Sequence, residues 1–193
     1  RFVEPLHKAR LKAIFPPDQP DGQQSERIMG ANATENDLTL RLAQPSDAEP
    51  ACALVRRSIV ELCKLDHGGD PLTLEGWLCN KTPQNMEYWI TTPGTTCFIA
   101  EVGGAMAGVG VVMDHGEVLL AYVAPEFRFR GVTRTLLARM EVHARAQHAD
   151  RMSLTTTDTA YPFFLAQGYV AEEEVGDLFS EDQRSLIKEW PKD

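Results

Sequence analysis

An apolar strand running into a proline, an arginine-rich turn and an amphipathic helix constrains this chain more than any other stretch. The strand is Val118-Leu-Leu-Ala-Tyr-Val-Ala-Pro125, the turn is Glu126-Phe-Arg-Phe-Arg-Gly131, and the helix opens at Val132. Proline has no N–H to give to a ladder, so Pro125 ends the strand. Gly131 permits a tight turn and leaves room for close approach. Val132, Leu136, Leu137 and Met140 then recur at helical spacing. A strand feeding a helix through such a turn directs unpaired N–H groups outward at the positive end of the helix dipole, where phosphate is the usual anion. Arg128 and Arg130 add charge beside it. The turn matches neither G-x-G-x-x-G nor G-x-x-x-x-G-K-[ST], so nothing indicates a dinucleotide or a nucleoside triphosphate.

The 193 residues suit one domain of ordinary size with a tail. A hydrophobic fraction of 43% and a charged fraction of 24% are those of a soluble globular chain. No apolar run approaches the ~20 residues of a membrane-spanning helix, so no membrane partner is expected. No basic and then apolar leader opens the chain, which reads as the absence of a secretory signal. Cys52, Cys63, Cys79 and Cys97 are scattered without a C-x-x-C or paired-histidine spacing, and read as reduced thiols of a cytoplasmic protein without a metal site. The formal charge of −9 repels nucleic acid phosphates and favours cationic acceptors such as amines.

Residues 1–37 form a compositional zone of their own. The run from Phe15 to Ser25 is rich in Pro, Gly, Gln and Asp and has no apolar period, so this N-terminal extension is expected to be extended or disordered, apart from a short helix over Pro5–Ile14. The domain is then 38–193. Leu38–Leu42 alternates as a first strand, and Ser46-Asp-Ala-Glu49 reads as a capping box opening a helix with Ala51, Val55, Ile59 and Leu62 inward. Cys63–Pro71 reads as a loop. A short helix follows near Leu72–Leu78, and Thr82 caps another with Pro83 in its first turn. Cys97–Val102 and Ala105–Met113 form a hairpin about Gly103-Gly104. Further strands are expected at Glu117–Ala124, Arg151–Thr155, Tyr169–Val175 and Arg184–Glu189, with helices from Gly131 to near His148 and over Ala160–Gln167.

Arg128-Phe-Arg-Gly131-Val-Thr133 resembles the [QR]-x-x-G-x-[GA] motif of the GCN5-related N-acetyltransferases (the GNAT family), and Ala160-Tyr-Pro-Phe-Phe-Leu-Ala-Gln-Gly-Tyr169 resembles that family's A-x-x-F-Y-x-x-x-G-[FY] segment. The resemblance covers roughly Leu38 to Glu189. It implies the α/β GNAT fold, with a mixed central sheet of six to seven strands flanked by helices and a β-bulge or splay after the fourth strand. It also implies acetyl-CoA as co-substrate and direct attack of an amine on the thioester in a ternary complex. The backbone of Arg128, Phe129, Arg130, Gly131, Val132 and Thr133 is then the pyrophosphate cradle, Val123 aligns the pantetheine arm, and Thr157 stands at a position where the family often has an arm-contacting Asn. Thr133 departs from the family's small residue, and Phe164 from its tyrosine.

For catalysis, Glu117 is the foremost base, since the histone-modifying branch of the family carries its basic glutamate at the matching place. The apolar run beside it favours a carboxyl that retains its proton. The tyrosine that Phe164 replaces donates a proton to the CoA sulfur, so Tyr122 and Tyr161 stand as substitutes, unless no acid is needed. Asp66-His67-x-x-Asp70 gathers carboxylates and an imidazole in five residues, and Ser58 and Glu61 lie one turn apart on the preceding helix. Ser58, Glu61, Asp66 and His67 are the expected acceptor site. The bland reading of Asp70 before Pro71 is a helix cap. The expected acceptor is a small-molecule or peptide amine, on a monomer or homodimer. The alternatives are a protein N-terminal or lysine acetyltransferase and a non-catalytic acyl-CoA sensor.

Overall fold

The computed structural model describes residues 38–172 and 184–190. The N-terminal extension, its short helix and most of the segment after Glu172 lie outside the described residues. Among the described residues, seven strands form two antiparallel sheets. The first runs β1 (Leu38–Leu42), β2 (Thr95–Val102), β3 (Ala105–Met113), β4 (Val118–Val123). The second runs β5 (Arg151–Thr156), β7 (Arg184–Glu189), β6 (Val170–Ala171).

The two sheets meet at one point. Glu117 and Ser153 form a parallel bridge, and the Ser153 N–H donates to the Gly116 carbonyl at 3.0 Å. Beyond it β4 and β5 run in the same direction without a further rung among the described residues, so their C-terminal ends part and leave a gap. One irregularity opens it. The β3–β4 register slips at Leu119, where Val111 faces Leu120 but Val112 faces Val118. A bulge of this kind sharpens local twist and re-aims the strand. Leu119 is only partly buried between buried Val118 and Leu120.

Helices cover the first sheet. α1 (Ala48–Leu62) and α4 (Pro83–Thr91) pack together, and α5 (Val132–Ala146) lies along β3 and β4 with Val132, Leu136, Leu137 and Met140 fully buried, as their spacing predicts. α2 (Lys64–His67) and α3 (Pro71–Leu78) intervene between α1 and α4, and α6 (Tyr161–Ala166) follows β5.

Three local expectations need correction. The capping box Ser46–Glu49 is not used. A 3-10 turn over Pro45–Asp47 comes first, α1 starts at Ala48, and Asp47 reaches back to accept the Gln44 N–H at 2.7 Å. Asp47 wins because Arg41 grips both its oxygens, at 2.7 and 2.9 Å, while donating its Nε to Glu101 at 2.8 Å. Second, Cys63–Pro71 is not simply a loop but holds the one-turn helix α2. Third, the described sixth strand is only Val170–Ala171, and the rest of the expected Tyr169–Val175 strand beyond Glu172 lies outside the described residues. The caps Asp70 and Thr82 are both present, accepting from Thr73 N–H at 2.7 Å and Asn85 N–H at 3.1 Å.

Two predictions follow from the joint and the clamp. Gly116 sits at φ +96, and a Cβ there would run into the Arg151 carbonyl oxygen. Gly116→Ala is expected to destabilise the fold by about 3 kcal/mol, read as a fall in the urea midpoint, because both strain and overlap oppose it. The Arg41 guanidinium holds the Asp47 carboxyl below the usual carboxylate range. A depressed native pKa gives stability that is present above the unfolded value and lost as pH falls through the native one. Asp47→Asn is therefore expected to lower the melting temperature at pH 7 and to flatten its decline below about pH 4.

Candidate functional site

Residues with unmet polar capacity lie on α5, α1 and α2, which touch β4 or the loop after β5. One wall of the gap between β4 and β5 is the open edge of β4. The Ala124 N–H donates to the Ala107 carbonyl at 2.8 Å, in register with the pairs Val123–Gly108 and Tyr122–Val109. Hydrogen bonds alternate along an antiparallel strand, so residues 122 and 124 turn their backbone groups to β3 while Ala121 and Val123 turn theirs to the edge that β5 has left. An extended ligand can pair there as an added strand.

The strand then stops at Pro125, and a 3-10 turn over Pro125–Phe127 leads into the arginine loop. An ion pair of Glu126 with Arg57 of α1 holds the turn, and the guanidinium keeps the Glu126 carboxyl below its usual range. Phe129 and Gly131 both have left-handed backbones, at φ 59 and φ 73. Gly131 is the N-cap of α5 without any side-chain cap, so the amides of the first turn keep their hydrogen-bonding capacity. Thr133 is 4% exposed and its Oγ1 has no protein partner. Arg128 and Arg130 lie over the Phe129 and Phe127 rings, at 4.7 and 5.6 Å.

The other unmet polar groups lie on α1 and α2. Asp66 Oδ1 accepts the Thr159 N–H at 3.1 Å, which ties α2 to the loop after β5. Its Oδ2 is buried without a partner. His67 is 5% exposed and meets Trp77 edge-on at 5.9 Å. Its Nδ1 accepts the Gly69 N–H at 3.0 Å, so in the neutral ring Nε2 carries the proton, and this donor is buried without an acceptor. Ser58, at 1% exposure, also has an unpartnered Oγ. Buried polar atoms are normally satisfied, so this concentration points to groups that a ligand satisfies.

Other expected residues fall elsewhere. Glu61 is exposed while Ser58 is buried, so one helical turn separates two environments and does not bring them together. Glu117 lies where the sheets join. The apolar run beside it does not bury it: its side chain is 44% exposed, with His115 Nε2 at 3.4 Å. Tyr122 is buried within β4, and Thr157 is buried at the end of β5. Tyr161 opens α6, with the Arg184 guanidinium 4.6 Å over its ring. Phe164 is fully buried between Phe163 and Tyr169, at 5.2 and 5.8 Å. The ring fills the core and brings no hydroxyl to the site. The tie from Asp66 to Thr159 spans 93 positions and carries no sequence signal.

The family model described as "Acetyltransferase (GNAT) domain" matches residues 70–180. No curated protein matches the sequence. Among solved structures, a GCN5-related N-acetyltransferase from Rhodopseudomonas palustris is 23% identical, with a TM-score of 0.69 over 86% of this chain and 100% of its own. PaiA N-acetyltransferase from Thermoplasma acidophilum in complex with coenzyme A is 16% identical, with a TM-score of 0.67 over 79% of this chain and 99% of its own. YncA from Salmonella typhimurium with its cofactor acetyl-CoA is also 16% identical, with a TM-score of 0.60 over 81% and 95%. These likenesses are of fold. Thr133→Ala is expected to leave the melting temperature unchanged or raise it, because it removes a buried hydroxyl without a protein partner; a clear fall by calorimetry would mean the hydroxyl stabilises the fold itself.

Proposed function

The chain belongs to the GNAT family of acetyltransferases, and on that premise we propose that it transfers an acetyl group from acetyl-CoA to an amine of a small molecule or peptide by direct attack in a ternary complex. One observation carries this reading. The uncapped N-terminus of α5, with the unpartnered Thr133 hydroxyl, opens at the same end of the sheet as the free edge of β4. An anion cradle and a strand edge in line suit a molecule with a pyrophosphate and an amide-bearing arm. The amides of Arg130 to Thr133 hold the pyrophosphate, and Ala121 and Val123 pair with the arm. Acetyl-CoA supplies the activated acyl thioester.

The acceptor lies against α2. Asp66 Oδ2 takes a hydrogen bond from the amine, and His67 Nε2 donates to an oxygen of the acceptor. His67 is not the base: its free lone pair at Nδ1 is already engaged by Gly69. Glu117 has the better claim. It stands at the vertex of the gap, two residues from the bulge at Leu119, and its half-exposed carboxylate reaches solvent. An alkyl amine with a pKa of ~10.4 must lose a proton before it attacks, and a water relay to Glu117 accepts it. Protonation of the leaving sulfur falls to Tyr161 or to solvent.

A second reading, a non-catalytic acyl-CoA-binding domain, is favoured by the buried Phe164, which offers no acid. Turnover against an amine panel, followed by CoA release, separates the two; tight CoA binding with no release for any amine would establish the binder. For the enzyme, Glu117→Gln is expected to lower kcat about 100-fold with acetyl-CoA affinity unchanged. An unaltered kcat would remove Glu117 from the mechanism. Asp66→Asn is expected to raise the acceptor KM about tenfold while acetyl-CoA affinity stays the same.

A further inference from the structure

Phe129 is anomalous in its loop. A bulky side chain in the left-handed region is strained where glycine is not. Such strain persists when packing or function compensates. Packing does not compensate here, since Phe129 is 68% exposed, whereas neighbouring Phe127 is packed against the core. The Arg128 guanidinium lies 4.7 Å from the ring centroid on one face, which leaves the other face to solvent. No carboxylate pairs with Arg128 among the described residues, and nearby Glu126 is taken by Arg57. The loop therefore displays an open aromatic face and an unneutralised guanidinium next to the amides of the α5 N-terminus.

We propose that Phe129 and Arg128 form a subsite for the adenosine end of coenzyme A, with the ring stacked on the purine and the guanidinium facing the 3′-phosphate. This rests on the reading above that the loop holds the pyrophosphate. The direction of the molecule then follows. The arm runs inward along β4, so the adenosine, joined to the pyrophosphate through its 5′ carbon, emerges on the outer side of the loop. There it meets the exposed Phe129 ring. Stacking needs only a π face, which suits a purine, and Arg supplies the charge that a 3′-phosphate requires.

The test is calorimetric titration of the full chain with CoA, 3′-dephospho-CoA and 4′-phosphopantetheine, with melting curves alongside. Phe129→Ala is expected to weaken CoA and 3′-dephospho-CoA about tenfold and to leave 4′-phosphopantetheine unchanged. Phe129→Gly should melt above Phe129→Ala, because glycine relieves the left-handed strain, yet bind CoA as weakly. Arg128→Ala should abolish the preference for CoA over its dephospho form. Equal losses for CoA and 4′-phosphopantetheine in Phe129→Ala, or no loss for either, would overturn the purine contact, and a preference that survives Arg128→Ala would overturn the phosphate contact. Wild-type protein that binds CoA and 4′-phosphopantetheine equally overturns the subsite, since the adenosine end then adds no affinity. Wild-type protein that binds none of the three overturns the co-substrate reading and the subsite with it.

Discussion

The architecture depends on the narrow joint between the two sheets. Ser153 donates to Gly116, Glu117 bridges Ser153, and Gly116 lacks a side chain where the Arg151 carbonyl presses in. Parallel strands joined at one end and free at the other must diverge, because sheet twist rotates each about its own axis. The bulge at Leu119 adds to that rotation. The edge of β4 that results has no strand partner beyond the bridge among the described residues, and proteins ordinarily cover such an edge. Here it lies beside a helix N-terminus, and those two features together make the candidate site.

The distribution of unmet polar groups follows the same geometry. Thr133 lies in the first turn of α5, and Ser58, Asp66 and His67 lie on α1 and α2. Elsewhere the charged clusters are satisfied: Lys188 reaches both oxygens of Glu141 at 2.9 and 3.0 Å, and Arg41 spans Asp47 and Glu101. Lys81 shows the cost of burial without a carboxylate. It donates to Asn80, and desolvation brings its pKa down to about 8.

Much of the frame was legible because its signals are local. Pro125 and Gly131 bracket the turn, helical spacing marks the buried face of α5, and Asp70 and Thr82 cap α3 and α4 as residues of their type do. Misreadings came where a distant partner decided a local choice. Ser46–Glu49 has the capping pattern, yet Asp47 takes the position because Arg41 on β1 orients it. Ser58 and Glu61 share a helical neighbourhood but not an environment, since core packing against one side of α1 buries only the first. The tautomer of His67 is set by the Gly69 backbone in the left-handed turn after α2, which no residue type announces.

The sequence by itself determined the strand–turn–helix around Gly131, the order of the longer elements from Leu38 to Gln167 and the family motifs, because each rests on neighbours a few residues apart. Tertiary structure alone decided where the sheets part, that Val123 faces the open edge, that Phe164 is core and that Asp66 docks on Thr159. Those outcomes depend on register, bulges and contacts between residues tens of positions apart. Residue types constrain such contacts only loosely, since one side chain can satisfy itself in several ways until the chain closes around it.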